Sequence, residues 1–159
     1  KYFEDVKGNI QIQSALRGEK FDAFLSQYWF LEQIHDFVMT NRFENEIIID
    51  QDPFAILHVY TEYFRKRKQI SNLEYAVLSD YHDHVMHVIS KFNFKSKVVL
   101  LEAEPEELKK RVMKRDSKIF DHSWFDEISA MFVESYRGKD IVRIQTDNVS
   151  LEEVFNKVI

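Results

Sequence analysis

The chain has 159 residues, of which 45% are hydrophobic and 31% charged, a composition typical of one globular domain. Its net charge of −5 argues against general affinity for nucleic-acid polymers, and no apolar run approaches the roughly 20 residues of a membrane span. Cysteine is absent, which excludes disulfide and thiolate chemistry, and no signal peptide is recognisable, so we expect a cytoplasmic protein.

The first predicted elements are two helices and a strand. Apolar residues at steps of three and four predict a helix with one buried face over Phe21–Met39. The β-branched run Ile47–Ile49 predicts a buried strand over Phe43–Asp50. Asp52 suits an N-cap and Pro53 suits a first turn, which predicts a helix running to about Lys68.

The second half alternates in the same way. We predict helices over 72–90, from Pro105 onward, over 123–136 and over 151–159, and strands over 97–103 and 141–144. The helix at 72 is opened by Ser71 or Asn72, with Glu74 nearby.

Unalternating apolar strands separated by helices predict an α/β fold, in which a parallel sheet lies between two helical layers (α/β/α). We expect residues 1–159 to form a single domain. No strand is predicted before Phe43, and three strands are few for this fold. We therefore expect further sheet material upstream of Lys1.

Carboxylates follow the strand that ends at Asp50. Ligands of open parallel sheets bind beyond the carboxyl ends of the strands, where Asp50 and Asp52 lie. A carboxylate there can hold hydrated Mg²⁺ or take a proton from a hydroxyl. The alternative is architectural, with Asp52 capping the next helix and Asp50 solvated at the strand end.

Two further patterns suit nucleotide chemistry. Gln27 lies among the aromatic residues of "FLSQYWF", and an amide can read a nucleobase edge on which rings stack. Arg111 and Arg115 are four apart on a helix, which suits a phosphate chain. The alternatives are a core helix with one polar residue and a solvated basic face. His82, His84 and His87 do not share one helix face, so a metal site there is disfavoured.

Several segments together resemble the deoxyribonucleoside kinases, relatives of thymidylate kinase among the P-loop kinases. The segments are "KYFEDVKGN", "FDAFLSQYWFLEQI", "IIIDQDP", "VVLLEAEPEELKKRVMKRD", "HSWFDEISAMFVESY" and "DIVRIQTDNVSLEEVFNKVI", in the family's order. The resemblance implies a P-loop kinase fold and ATP-dependent phosphorylation of a deoxynucleoside at its 5′-hydroxyl, with ATP and Mg²⁺ as cofactors. It also implies a possible homodimer.

The same resemblance implies roles for individual residues. Gln27 would bind the base, with Trp29 or Phe54 as a stacking or packing neighbour. Asp50 would lie near Mg²⁺ or the hydroxyl. Arg111 and Arg115 would close over the phosphates, and Asp121 would contact the sugar.

The chain also departs from the family. It has neither GxxxxGK[ST] nor GxGxxG, so the family's first strand, phosphate loop and catalytic Glu are expected upstream of Lys1. The family's Arg after the acidic residue is Gln51 here, and a third lid Arg is Ser117. Two alternatives stay open: a nucleoside monophosphate kinase, with Arg17 and Arg42 as candidates for its basic pocket, and a non-catalytic binding domain.

Overall fold

The computed structural model describes residues 2–3, 10, 21–42, 48–92, 97–116, 123–147 and 149–158. The chain forms two compact units, Lys1–Lys95 and Ser96–Ile159. Each unit combines helices with one short pair of parallel strands. The protein is therefore of mixed helix and strand, with small parallel sheets.

The first unit contains strands β1 (Tyr2–Phe3) and β2 (Ile48–Ile49), which pair in parallel, Tyr2 beside Ile48 and Phe3 beside Ile49. The prediction that no strand precedes Phe43 is therefore wrong. Tyr2 and Phe3 lie between charged residues, so they form no apolar run long enough for hydrophobic periodicity to indicate a strand. Strand β2 lies at the end of the predicted strand 43–50, of which residues 43–47 lie outside the described residues.

Helix α1 (Ala23–Thr40) confirms the first predicted helix. It begins after Asp22, whose carboxylate accepts a hydrogen bond from the backbone N–H of Leu25 at 3.0 Å. Its buried face recurs at helical spacing and consists of Ala23, Ser26, Gln27, Phe30, Leu31, Ile34 and Val38.

The helix predicted from Pro53 is present but is not a regular α-helix. It consists of α2 (Pro53–Ala55), a π-helix (Ile56–Thr61) and α3 (Glu62–Lys66). Asp52 caps it, as predicted, by accepting from the N–H of Phe54 at 3.1 Å. In the π-helical part, the hydroxyl of Thr61 donates to the carbonyl of Ile56, five residues earlier, at 2.8 Å.

The turn after α3 is a Schellman motif, a common helix end in which one residue is left-handed. Lys68 has a φ of 58°, and its N–H donates to the carbonyl of Arg65 at 2.9 Å. The N–H of Gln69 donates to the carbonyl of Phe64 at 2.9 Å. The motif therefore satisfies two carbonyls at the end of α3.

Helix α4 (Asn72–Lys91) begins with a capping box. The N–H of Glu74 donates to the Ser71 hydroxyl at 3.2 Å, and the N–H of Ser71 donates to the Glu74 carboxylate at 2.7 Å. Helix α1 packs on both the π-helix and α4. The core of this unit includes Phe30, Leu31, Ile34, Val38, Ile56, Leu57, Ile70, Leu78 and Val85.

The second unit contains strands β3 (Val99–Glu102) and β4 (Val142–Gln145), paired in parallel from Val99 beside Val142 to Glu102 beside Gln145. The remaining helices are α5 (Pro105–Asp116), α6 (Ser123–Ser135) and α7 (Leu151–Val158). These elements lie where the sequence predicts them. Among the described residues, none of the helices combines the length and the apolar character needed to cross a membrane.

Candidate functional site

The segment that follows β2 has an unusual backbone. Asp50 is exposed and comes directly after the strand, and Gln51 has a φ of 76°. A side chain other than glycine in this left-handed region costs roughly 1–2 kcal/mol. The surrounding structure therefore holds Gln51 in place, and such strain is common at functional sites.

Gln51 contacts Tyr60, which belongs to the π-helix. Burial raises the pKa of the Tyr60 phenol above its ordinary value, a hydrogen bond from Gln51 opposes that rise, and the nearby charge of Asp50 adds to it. A hydrogen bond that lowers a phenol pKa is one donated to the phenol oxygen, so the Gln51 amide nitrogen is the donor. Asp50, Gln51 and Tyr60 thus form one group at the end of β2, which we call the strand-end group.

Three buried side-chain atoms have no hydrogen-bond partner in the part of the chain that the structure describes. They are Gln27 Oε1, Gln51 Oε1 and His82 Nε2. An amide oxygen only accepts hydrogen bonds. The Nδ1 of His82 lies 3.0 Å from the Asp83 carboxylate. All three atoms lie in the first unit, and the two amide oxygens require a donor.

Gln27 lies on the buried face of α1 and is only 4% exposed. That face packs on the π-helix and α4. Leaving a buried carbonyl oxygen unpaired costs about 1–3 kcal/mol. A ligand that offers an N–H or O–H at this point would remove that cost, and this is the property expected of a residue that reads a nucleobase.

The two aromatic candidates, Trp29 and Phe54, already contact other rings. Trp29 is two positions from Gln27 on α1 and so faces a different direction; its ring meets Phe30 edge-on at 5.2 Å. Phe54 is half-buried, and its ring centroid lies 4.2 Å from that of His58. The His58 ring in turn meets His82 at 5.7 Å. Their predicted role in stacking stays a prediction.

The Arg residues predicted to bind phosphate belong to the second unit. The guanidinium of Arg111 donates to the Thr146 hydroxyl at 2.9 Å, to the Thr146 carbonyl at 2.8 Å and to Glu107 at 3.1 Å. Thr146 directly follows β4, so Arg111 places a positive charge at the carboxyl end of that strand. The side chain of Arg115 and the whole of Asp121 lie outside the described residues.

The end of β4 is tied to the segment after β3 by further contacts. The Asp147 carboxylate accepts a hydrogen bond from the N–H of Glu104 at 3.2 Å. The backbone N–H and the hydroxyl of Thr146 donate to the carbonyl of Glu102 at 2.8 and 2.9 Å. Thr146 thus links both strands to Arg111, so several contacts hold the guanidinium of Arg111 in position.

A surface cavity of about 590 Å³ lies at the turn between α3 and α4, and neither Gln27 nor Asp50 lines it. Its basic lining includes Arg65, which makes two hydrogen bonds to the Glu62 carboxylate at 2.8 and 2.9 Å. Beside the cavity, the capping box of Ser71 and Glu74 satisfies backbone N–H groups at the start of α4. This cavity therefore contains none of the unpaired buried atoms described above.

Within the described ranges, no three His, Asp or Glu side chains are arranged to hold a metal ion. This is compatible with the predicted role of Asp50, because Mg²⁺ bound with a nucleotide commonly uses one or two carboxylates together with phosphates and water.

Sequence reasoning did not single out Tyr60, and it considered His82 only as part of a disfavoured metal site and Gln51 only as a departure from the family. Tyr60 and His82 lie on regular-looking helical stretches, where nothing in the sequence marks a buried polar atom. Gln51 carried one signal, since it replaces the Arg of the family that the chain resembles.

A scan against protein-family models finds no family that matches this chain, and a search of the curated proteins finds no significant match.

Proposed function

We propose that the chain is the acceptor-binding part of a deoxynucleoside kinase, which transfers the γ-phosphoryl group of ATP to the 5′-hydroxyl of a deoxynucleoside. The observation that carries this proposal is the buried oxygen of Gln27, which has no partner among the described residues. A nucleobase offers amino or imino hydrogens to such an oxygen. The aromatic residues around it supply surfaces on which a base stacks.

The proposed acceptor hydroxyl meets the strand-end group. Asp50 is a carboxylate at the carboxyl end of a parallel strand, where ligands of this sheet type bind. It accepts a hydrogen bond from the 5′-hydroxyl or holds the water shell of Mg²⁺. Asp121 is proposed to contact the sugar.

Positive charge at the phosphates comes from α5 in this proposal. Arg111 is held through Thr146 at the end of β4. It therefore acts as a fixed charge, and Arg115 is proposed as the second one. Phosphoryl transfer depends mainly on positioning and on neutralising charge, which guanidinium groups supply.

We also propose a three-layer α/β/α fold of the P-loop kinase type. Support comes from the pairing, because β1 pairs with β2 and β3 with β4, all in parallel.

The proposal is tested by binding and by transfer. Calorimetry on residues 1–159 with the four deoxynucleosides should detect binding of at least one, and Gln27→Ala should weaken it at least tenfold. Transfer of labelled phosphate from ATP should be measured with deoxynucleosides and their 5′-monophosphates as acceptors. Phosphorylation of monophosphates alone would favour the monophosphate kinase, and binding without transfer would favour a non-catalytic domain.

A further inference from the structure

Two histidines from different helices lie side by side at the surface of the first unit. The ring centroids of His35 in α1 and His84 in α4 are 5.3 Å apart. The side chain of His35 is 24% exposed, and His84 is exposed. Because the two residues come from different helices, the spacing of histidines along the sequence does not reveal this pair.

The separation of the two rings suits a shared metal ion. In a tetrahedral site with metal–nitrogen bonds of about 2.1 Å, the centroids of two bound imidazole rings are about 5 Å apart. The observed 5.3 Å is close to that value. The two helices therefore already hold the rings at the distance that one ion needs.

Each ring has a nitrogen with which it can bind a metal. The Nδ1 of His35 lies 3.2 Å from the Asp36 carboxylate, so Nε2 is the nitrogen left for an ion. A carboxylate beside the other ring nitrogen is the usual arrangement around a metal-bound histidine. Among the described residues, His84 makes only ring contacts, with His35 and Tyr81, so its ring can turn toward an ion without losing a hydrogen bond.

Negative charge lies close to the pair. The ring of Tyr81 is 6.3 Å from that of His35 and 6.2 Å from that of His84. Burial raises the pKa of the Tyr81 phenol to about 12, and the charges of Glu32 and Asp36 add to that rise. The surface around the two imidazoles therefore favours a cation over an anion.

We propose that His35 and His84 bind a divalent transition-metal ion such as Zn²⁺ between α1 and α4. Imidazole nitrogen is a ligand that suits Zn²⁺, whereas Mg²⁺ prefers oxygen. Two protein ligands leave two positions of a tetrahedral site to water, which is compatible with the absence of any group of three metal-binding side chains among the described residues. The inference is independent of the proposed function, because neither histidine belongs to the proposed acceptor site.

The test uses residues 1–159, prepared without a histidine tag and titrated with ZnCl₂ in a calorimeter. One Zn²⁺ should bind per chain, and MgCl₂ should give no binding. Saturating Zn²⁺ should also raise Tm, because an ion that joins α1 to α4 binds the folded state and not the unfolded one. His35→Gln and His84→Gln should each weaken the affinity at least tenfold, since glutamine offers no imidazole nitrogen, and circular dichroism checks that both variants fold.

His87→Gln is the matched control, because His87 is an exposed histidine of α4 outside the pair. Its affinity for Zn²⁺ should equal that of the wild type. Equal losses in all three variants would indicate general binding to surface histidines and would overturn the site. The proposal is also overturned if the wild-type chain does not bind Zn²⁺, or if His35→Gln and His84→Gln bind it as tightly as the wild type.

Discussion

Replacing Gln27 by methionine separates the cost of its unpaired oxygen from its use in binding. Methionine has nearly the length and shape of glutamine and a similar helix propensity, but it has no carbonyl oxygen. Gln27 is 4% exposed and its Oε1 has no partner among the described residues. Without a ligand, Gln27→Met should therefore make the protein more stable.

The size of the gain follows from the cost of that oxygen. An unsatisfied buried acceptor costs about 1–3 kcal/mol, so we expect the free energy of unfolding to rise by about 1–2 kcal/mol. For a chain of this size, each kcal/mol shifts Tm by about 2–4 °C. The midpoint should thus rise by about 2–8 °C, as measured by scanning calorimetry and by urea unfolding followed by circular dichroism.

The same variant should lose nucleoside binding, because methionine cannot accept a hydrogen bond from a base. Gln33→Met is the control, since Gln33 lies on the same helix, is only half-buried and has no such unpaired atom. Its Tm and its affinity should change little. A drop in Tm for Gln27→Met would refute the reasoning, since it would mean that the amide makes a stabilising contact. A rise in Tm with unchanged affinity would remove Gln27 from the binding site.

Three further predictions concern stability. Lys68→Gly should raise the free energy of unfolding by about 1 kcal/mol, because glycine adopts the left-handed φ of 58° without strain. Lys66→Gly within α3 is the control and should lower that free energy by a similar amount. Equal effects of the two substitutions in chemical denaturation would contradict the Schellman assignment. Arg111→Ala should lower the free energy of unfolding by about 0.5–1.5 kcal/mol through the lost hydrogen bonds to Thr146. Arg111→Lys should not restore that stability, because lysine lacks the planar guanidinium. Full stability in the lysine variant would show that charge alone matters. Burial raises the pKa of Tyr81 to about 12, so the folded state keeps a proton that the unfolded state loses above pH 10. Stability should fall as the pH rises from 10 toward 12, and Tyr81→Phe should reduce that fall in unfolding measured at each pH.

Much of the secondary structure could be predicted because its signals are local. Asp52 before Pro53 marks a helix start, and Ser71 with Glu74 marks another; both caps are present in the structure. Strand β1 could not be predicted in this way. Its two residues are defined by pairing with Ile48 and Ile49, which lie more than 40 positions away.

The sequence suggests only part of the candidate site. The rule that ligands bind at strand ends suggests Asp50, an amide among aromatic residues suggests Gln27, and both roles stay predictions. The positive φ of Gln51 leaves no trace in a sequence without glycine at that position. The contact with Tyr60 depends on how the helix after β2 is wound, and "ILHVYT" contains no residue that indicates a π-helix.

The winding of residues Ile56–Thr61 also bears on how this chain can change length. Each hydrogen-bonded turn of a π-helix contains one more residue than a turn of an α-helix, so the segment behaves as an insertion accommodated within a helix. Deleting one residue there would let the helix continue as a regular α-helix. Because the π turn already absorbs the rotation of about 100° that one residue adds, the side chains on either side would keep their relative directions. Phe54 and Tyr63 would then keep their present neighbours, so a relative shorter by one residue in this segment would retain the same packing before and after it.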